Sequence, residues 1–325
     1  MNKSNTFGLI TNRVFYIPSN EDGISILDSL KRRDGKVLLI LYVLYIRRNA
    51  NKKKTHISLK NLMRACNYKS AVKENKDSFK KILYKLKELE LINFESDIKR
   101  IDDEIEIDVE NLVENDDGFF NFFKLDEEEI NLIRSNTSNN QNFITQLKVY
   151  CYLKARVKKI DKDRNISERG GGETETTFRS YNDITKHTGV SSVEKSINNL
   201  KKIGLIDYVN AGMKQKEDEK PVNCSNVYAL TKVSKDVKEE LREGLKQYIY
   251  KIKKDGWNVI EKNLQIKKYQ SEGGTKSSLK KKIDKGTATK KDIDKYLELE
   301  EIQEKRKLQK KKQDEDFKKK IGLIK

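Results

Sequence analysis

Ser192–Val209 (SVEKSINNLKKIGLIDYV) runs an amphipathic helix directly into a strand. Val193, Ile197, Leu200 and Ile203 recur at three- and four-residue intervals, the spacing of one buried helix face. Gly204 follows, the residue type best suited to a left-handed helix end. Leu205, Ile206, Tyr208 and Val209 then have strand composition. Ser78–Glu95 (SFKKILYKLKELELINFE) carries the same pattern without a gap. Phe79, Leu83, Leu86 and Leu89 match the apolar face, Leu91-Ile92 matches Leu205-Ile206, and Phe94 matches Tyr208. Two amphipathic helices can share a period by chance, but sharing the exit into a strand as well marks an internal duplication.

The duplicated unit extends over most of residues 14–231. The first copy opens with Val14-Phe15-Tyr16-Ile17-Pro18, strand-like and ended by proline, and a short helix is expected within Glu21–Ser29. Lys36–Arg48 is apolar on nearly every face and should be a central helix. Lys52–Lys54 is a basic loop. Ile57–Asn67 is a second helix with Ser58 as N-cap, burying Leu59, Leu62, Met63 and Cys66. The Ser78 helix, a strand at Leu91–Glu95, a turn over Asp97–Asp103 and an alternating strand at Ile105–Val109 complete it. In the second copy, Phe122–Leu125 echoes the aromatic opening, Asp126–Ile133 the short helix and Phe143–Val157 the central helix. Arg164–Thr177 is a polar loop, and Ser180–Thr188 is the second helix, with Tyr181 and Ile184 matching Leu59 and Leu62. Gly189 stands where the first copy has Asn67 followed by an extra stretch, Lys69–Lys76. Strands at Ile206–Ala211 and Asn226–Leu230, joined through Met213–Pro221, end the unit. Helix, helix, helix, strand, turn, strand is the winged-helix order.

These boundaries give two modules, residues 1–112 and 113–232, then a helical extension over 233–270 and a linker with a charged basic tail over 271–325. Val237–Lys251 has the pattern of a helix that packs on the second module. Ser271–Gly286 has linker composition. Thr289 and Asp292 form a capping-box-like start to a charged helix, Lys290–Lys320, without a sustained heptad. The fold class is mainly α with small β wings, that is α+β.

Composition narrows the partners. The 325 residues carry a formal net charge of +18 and a pI near 9.4, pointing to a polyanion, most often nucleic acid. A lysine-rich solvated surface is the alternative. Cys66, Cys151 and Cys224 are far apart and odd in number, giving neither a disulfide framework nor a metal spacing. Val37–Ile46 is too short to span a bilayer, and the N-terminus lacks a signal-peptide run. The expectation is a cytoplasmic protein, nucleoid or plasmid associated, without a membrane partner. Gly170–Gly172 lacks the Lys-Ser/Thr of a phosphate loop, His56 and His187 are isolated, and no nucleophile or clustered-carboxylate pattern occurs. No enzyme activity and no cofactor are expected.

In a winged helix the outer face of the third helix enters the major groove. In the second copy that face is Lys195, Asn198, Asn199 and Lys202, with Ser191 and Ser192 at the helix start; in the first it is Lys81, Tyr84, Lys85 and Glu88. Asparagine can bond both the N6 and N7 edge of adenine, and lysine reaches phosphate or guanine. The second wing adds Lys214, Lys216 and Lys220. The first return strand instead carries Asp102, Asp103, Glu104, Glu106, Asp108 and Glu110, unfavourable beside phosphates. The second module is therefore expected to grip double-stranded DNA, with the first used partly for self-association or a protein partner.

The tandem plan, each copy opening with an aromatic-rich segment (Val14–Ile17, Phe122–Leu125) and carrying Leu200-Lys-Lys-Ile-Gly-Leu-Ile206 in the second, resembles plasmid replication initiators and the related phage replisome-organiser proteins. The resemblance implies binding of repeated origin sites by the second module, a homodimer formed through the first, and recruitment of a host replication protein such as a helicase or its loader. A winged-helix transcriptional regulator and a non-specific architectural or partition protein are the rival readings.

Overall fold

In the computed structural model, residues 6–17, 23–95, 97–112, 115–116, 119–157, 175–217, 219–232, 236–260, 275–301 and 304 are described. β1 (Phe7–Thr11) ends in a cap: the Thr11 hydroxyl accepts from the Arg13 N–H at 3.2 Å and opens a 3-10 turn over Asn12–Val14. After the short helix α1 (Ile26–Ser29), α2 (Lys36–Arg47) is buried without interruption from Val37 to Leu44. β2 (Lys54–Ser58) leads into α3 (Leu59–Ala65), where the Ser58 hydroxyl accepts from the Asn61 N–H. α4 (Lys73–Glu88) buries Phe79, Ile82, Leu83 and Leu86, and β3 (Glu104–Asp108) returns antiparallel to β2. Two tiny strands, β4 (Asn115–Asp116) and β5 (Phe119–Phe120), pair with each other.

The second half runs β6 (Phe122–Asp126), α5 (Glu127–Ser135), α6 (Asn140–Arg156), β7 (Thr176–Arg179), α7 (Tyr181–Thr188), α8 (Val193–Lys202) and β8 (Ile206–Asn210). A hairpin, β9 (Met213–Gln215) with β10 (Val222–Asn223), precedes β11 (Asn226–Leu230), α9 (Val237–Lys254) and β12 (Asn258–Ile260). β11 lies between β7 and β8, antiparallel to both. The whole is an α+β fold with small antiparallel sheets.

The repeat seen in sequence extends to the hydrogen bonds. Lys54 faces Asp108, which also meets Asn93; Thr176 faces Ala229, which also meets Asp207. Ser58 and Ser180, equally far along, cap α3 and α7. Asn67 and Gly189 both take left-handed backbone, and so do Glu90 and Gly204. The Leu91 N–H reaches the Leu86 carbonyl at 3.0 Å, and the Leu205 N–H reaches Leu200 at the same distance. Both third helices thus end in the same Schellman-type closure.

Several sequence expectations are corrected. Val14–Ile17 is not the opening strand. Phe15 is buried edge-on against Tyr152 at 5.5 Å, and the Tyr16 hydroxyl donates to the Ala155 carbonyl at 2.8 Å. An unbroken apolar run has no period to separate strand from core turn, and the partner of Phe122–Leu125 is Phe7–Thr11 instead. The end of the expected polar loop, Thr176–Thr177, is buried strand; the rest of that loop before Glu175, with Gly170–Gly172, lies outside the described residues. The first-copy strand at Leu91–Glu95 shrinks to a bridge at Asn93. The extra stretch Lys69–Lys76 supplies the first turn of α4, which begins at Lys73 behind Val72, a residue with no capping side chain to announce it.

β1 and β6 join the halves. Leu9 faces Lys124, and stepping outward pairs Phe7 with Asp126 and Thr11 with Phe122, so the ladder is symmetric about its central pair. Each half also closes a helix end of the other. Arg33 donates to the Lys186 carbonyl at 2.7 Å at the end of α7, and Arg134 donates to the Cys66 carbonyl at 3.3 Å at the end of α3. Cations suit these sites, where carbonyls lack helical partners. Buried Lys148 adds bonds to Thr188 O (2.7 Å) and Arg33 O (3.3 Å). One apolar core runs through both halves, from Ile10 and Leu38 to Tyr152 and Leu200.

Two polar groups inside this core carry large stakes. Glu129 is buried, and its carboxylate meets Lys154 Nζ at 2.6 Å, the Tyr150 hydroxyl at 2.5 Å and the Asp126 N–H at 3.0 Å. His187 stacks on Tyr152 with centroids 5.3 Å apart, places Nδ1 3.1 Å from the Phe15 carbonyl, and is held below its usual pKa by burial.

α9 lays Leu241, Tyr248 and Ile252 in a second apolar cluster with Val227, Ala229 and Phe178, as its sequence pattern implied. By contact the chain divides into Met1–Val259 and Ile260–Lys325. In the latter, α10 (275–284) and α11 (290–301) are helical, so most of the expected linker Ser271–Gly286 is structured. The tie is tertiary: Lys276 pairs with Glu300 at 3.0 Å and lies over the Tyr296 ring. Thr289 and Asp292 form the reciprocal cap at the start of α11. The far part of the expected helix Lys290–Lys320 lies outside the described residues. Among those described, no helix is long and apolar enough to cross a membrane.

Removing one partner of a buried pair strands the other charge, at roughly 3 kcal/mol or more. Glu129→Gln and Lys154→Met should each lose about that much in urea unfolding, while Glu129→Leu with Lys154→Met should lose less than the sum of the singles. The folded state favours neutral His187, so its contribution is complete above the usual imidazole pKa near 6.5 and falls away as the pH drops below it. Unfolding free energy measured against pH should slope downward on acidification, and His187→Gln should flatten that slope.

Candidate nucleic-acid interface

The site is built on α8 and the strands that follow it. Val193, Ser196, Ile197 and Leu200 are buried, which turns Lys195, Asn198 and Lys202 to solvent and leaves Asn199 half-buried. The apolar spacing of the helix dictates this division. Lys195 and Lys202 form no ion pair among the described residues. The Tyr208 hydroxyl donates to Asn198 Oδ1 at 3.1 Å and orients that amide. Lys201, by contrast, is committed to Asp207 at 2.5 Å. Ser191 and Ser192 are exposed at the helix start, where Ser192 makes no side-chain capping bond.

The wing lysines differ among themselves. Lys220 is exposed, whereas Lys214 and Lys216 are half-buried, with ammonium groups 4.2 and 5.1 Å from the Trp257 ring centroid. β12 pairs with β9, so β10, β9 and β12 form a three-stranded sheet. Neither Trp257 nor β12 was singled out from sequence: the tryptophan is remote from the wing along the chain, and its role exists only through that strand pairing. Tyr208 matches Phe94 in the repeat, and its bond to Asn198 has no sequence signal.

On the first copy, two of the equivalent positions are engaged. Tyr84 lies 5.6 Å from Phe94 between ring centroids, and its hydroxyl accepts from the Ile98 N–H at 3.1 Å, fixing the following turn. Lys85 pairs with Glu88 at 2.6 Å. Lys81 is exposed and forms no ion pair among the described residues. The acidic return strand is matched by lysines from its own half: Asp102 with Lys60 at 2.6 Å, Glu110 with Lys53 at 2.7 Å, and Glu106 with Lys54. That last contact holds the Glu106 carboxyl below its usual range and raises Lys54. His56 lies 3.3 Å from Glu106. No group of three or more His, Cys, Asp or Glu placed to hold a metal occurs among the described residues. Cys66, Cys151 and Cys224 are buried and unbridged, and burial pushes the Cys66 and Cys151 thiols up.

Compared with protein-family models, curated proteins and solved structures, the chain finds no match.

The helix exit that fixes the direction of β8 gives a paired test. Left-handed backbone costs a side chain about 1 kcal/mol, so Gly204→Ala should destabilise by about that amount. Glu90→Gly, at the matching position of the first copy, should stabilise by a few tenths to about 1 kcal/mol. Chemical denaturation of the two variants reads both signs.

Proposed function

We propose that the chain is a sequence-specific double-stranded DNA-binding protein with two winged-helix halves, and that α8 is its reading helix. The observation that carries the reading is the difference in commitment between the two equivalent faces. On α8, Lys195 and Lys202 form no ion pair among the described residues and flank an amide oriented by Tyr208. On α4, Lys81 likewise forms none, but Tyr84 bonds to the following turn and Lys85 pairs with Glu88 on its own helix. An asparagine amide with nearby lysines can combine base-edge readout with phosphate contact. The strand order β7–β11–β8 behind α7 and α8 supports the winged-helix assignment, and the net charge of +18 suits a polyanionic partner.

Within this reading, the resemblance to plasmid initiators and phage replisome organisers favours repeated sites at an origin. The first half and its acidic return segment would then serve self-association or contact with a replication protein. A transcriptional regulator is the second reading, supported by the same helix.

Footprinting on the DNA flanking the protein's own gene decides between them. Protection of tandem repeats beside an AT-rich region is the expected result, and a single palindrome over a promoter would favour the regulator. Uniform coating would point to an architectural protein. In binding titrations, Lys195→Ala with Asn199→Ala should weaken binding more than Lys81→Ala with Lys85→Ala. Each lost phosphate contact should reduce the salt slope by about one, and the opposite ranking would overturn the assignment of α8.

A further inference from the structure

We infer that Trp257 is a positioning residue for the DNA interface: its indole holds Lys214 and Lys216 of the wing as a preformed pair of phosphate-binding cations. The inference rests on the DNA-binding reading above and assigns part of that interface to the helix and strand that follow the second half.

The backbone at Trp257 is pinned first. Its N–H donates to the Ile252 carbonyl at 2.9 Å, the closing bond of α9, and β12 begins at the next residue and pairs with β9. The indole is half-buried and packs at the second apolar cluster, which includes Cys224, Val227 and Tyr248. α9 is itself anchored there by the Tyr248 hydroxyl, which accepts from the Ser225 N–H at 2.9 Å between β10 and β11. The ring is therefore fixed by both its own chain and the sheet beneath it.

Lys214 lies within β9 and Lys216 is the first residue beyond its end, and both side chains reach the same indole. Their ammonium groups sit 4.2 and 5.1 Å from one indole centroid, within the range of cation–π attraction. Neither makes an ion pair among the described residues, although Glu217 and Glu219 lie in the same hairpin. The ring attracts the two cations without neutralising them, which a carboxylate would do. A lysine side chain gives up considerable rotamer freedom when it binds a phosphate. Holding two of them beforehand removes much of that loss from the binding step.

Binding of a fluorescein-labelled random-sequence duplex to the full-length protein, at several salt concentrations, tests the idea. Trp257→Leu should weaken binding about five- to tenfold while leaving the salt slope unchanged, because both lysines still reach phosphate. Trp257→Phe should recover part of the loss, since a smaller aromatic face still attracts cations. Lys214→Gln with Lys216→Gln should instead lower the slope by about two. Trp257 is the single tryptophan, so an unlabelled duplex should also change the intrinsic fluorescence of the wild-type protein, and the lysine double variant should abolish most of that change.

Thermal unfolding of each variant identifies any general loss of fold, and Trp257→Phe, the mildest change, keeps the comparison open if Trp257→Leu is unstable. Wild-type affinity in a folded Trp257→Leu or, failing that, an unchanged intrinsic-fluorescence response in the lysine double variant, would overturn the inference while leaving DNA binding intact. No duplex binding by the wild type at any salt would overturn the DNA-binding reading and this inference with it.

Discussion

Antiparallel pairing between β1 and β6 is the constraint on which the rest of the first unit depends. The two strands come from opposite halves and meet symmetrically about Leu9 and Lys124, so the start of one half is completed by the start of the other. Neither strand has a second neighbour in the sheet, and a two-stranded ladder is marginal unless helices pack on it. Because α2 packs on β1 and α6 on β6, the ladder fixes the central helices, and through them the helices whose outer faces could meet a ligand. The arginines follow the same logic: Arg33 and Arg134 each leave their own half to close a helix end in the other.

Such joining places charge where hydrophobic residues would ordinarily sit. Lys148, Lys154 and Glu129 are all buried, and burial lowers the pKa of Lys148. Each is satisfied in a geometry-specific way, by carbonyls from both halves for Lys148 and by a carboxylate for Lys154. Net stabilisation from such groups is small once desolvation is counted. The bonds of Lys148 reach both halves and nonetheless penalise any other docking of them, since a shifted interface would leave that buried charge without partners. The Glu129–Lys154 pair closes within the second half.

The two third helices show how one repeated scaffold diverges by what its surface side chains touch. Tyr84 and Asn198 occupy equivalent positions, and both meet the aromatic of the following strand, Phe94 or Tyr208. In the first case the polar tip is consumed by a turn; in the second an exposed amide is merely oriented. The strands after these helices follow the same divergence. The first copy keeps a single bridge at Asn93, whereas the second has a hairpin enlarged by β12, with Trp257 beneath its lysines. These contrasts support the assignment of ligand contact to the second half.

By itself the sequence determined what is local and periodic. The three-and-four spacing in α8, the Ser58 cap, the left-handed helix end at Gly204, and the matching exits of the third helices were legible, because side-chain period and capping chemistry act within a few residues. The outward positions of Lys195, Asn198 and Lys202 followed from the same spacing. Tertiary structure alone decided what depends on distant partners. Thr176–Thr177 reads as polar loop until β11 pairs with it, Val14–Ile17 reads as strand until Tyr152 and Ala155 receive it, and Ser271–Gly286 reads as linker until Glu300 and Tyr296 meet Lys276. The union of the halves through Phe7–Thr11, and the placing of Trp257 under the wing, were likewise silent in the chain. Strand pairing and cation–π contact carry no fixed sequence separation, so no local period records them.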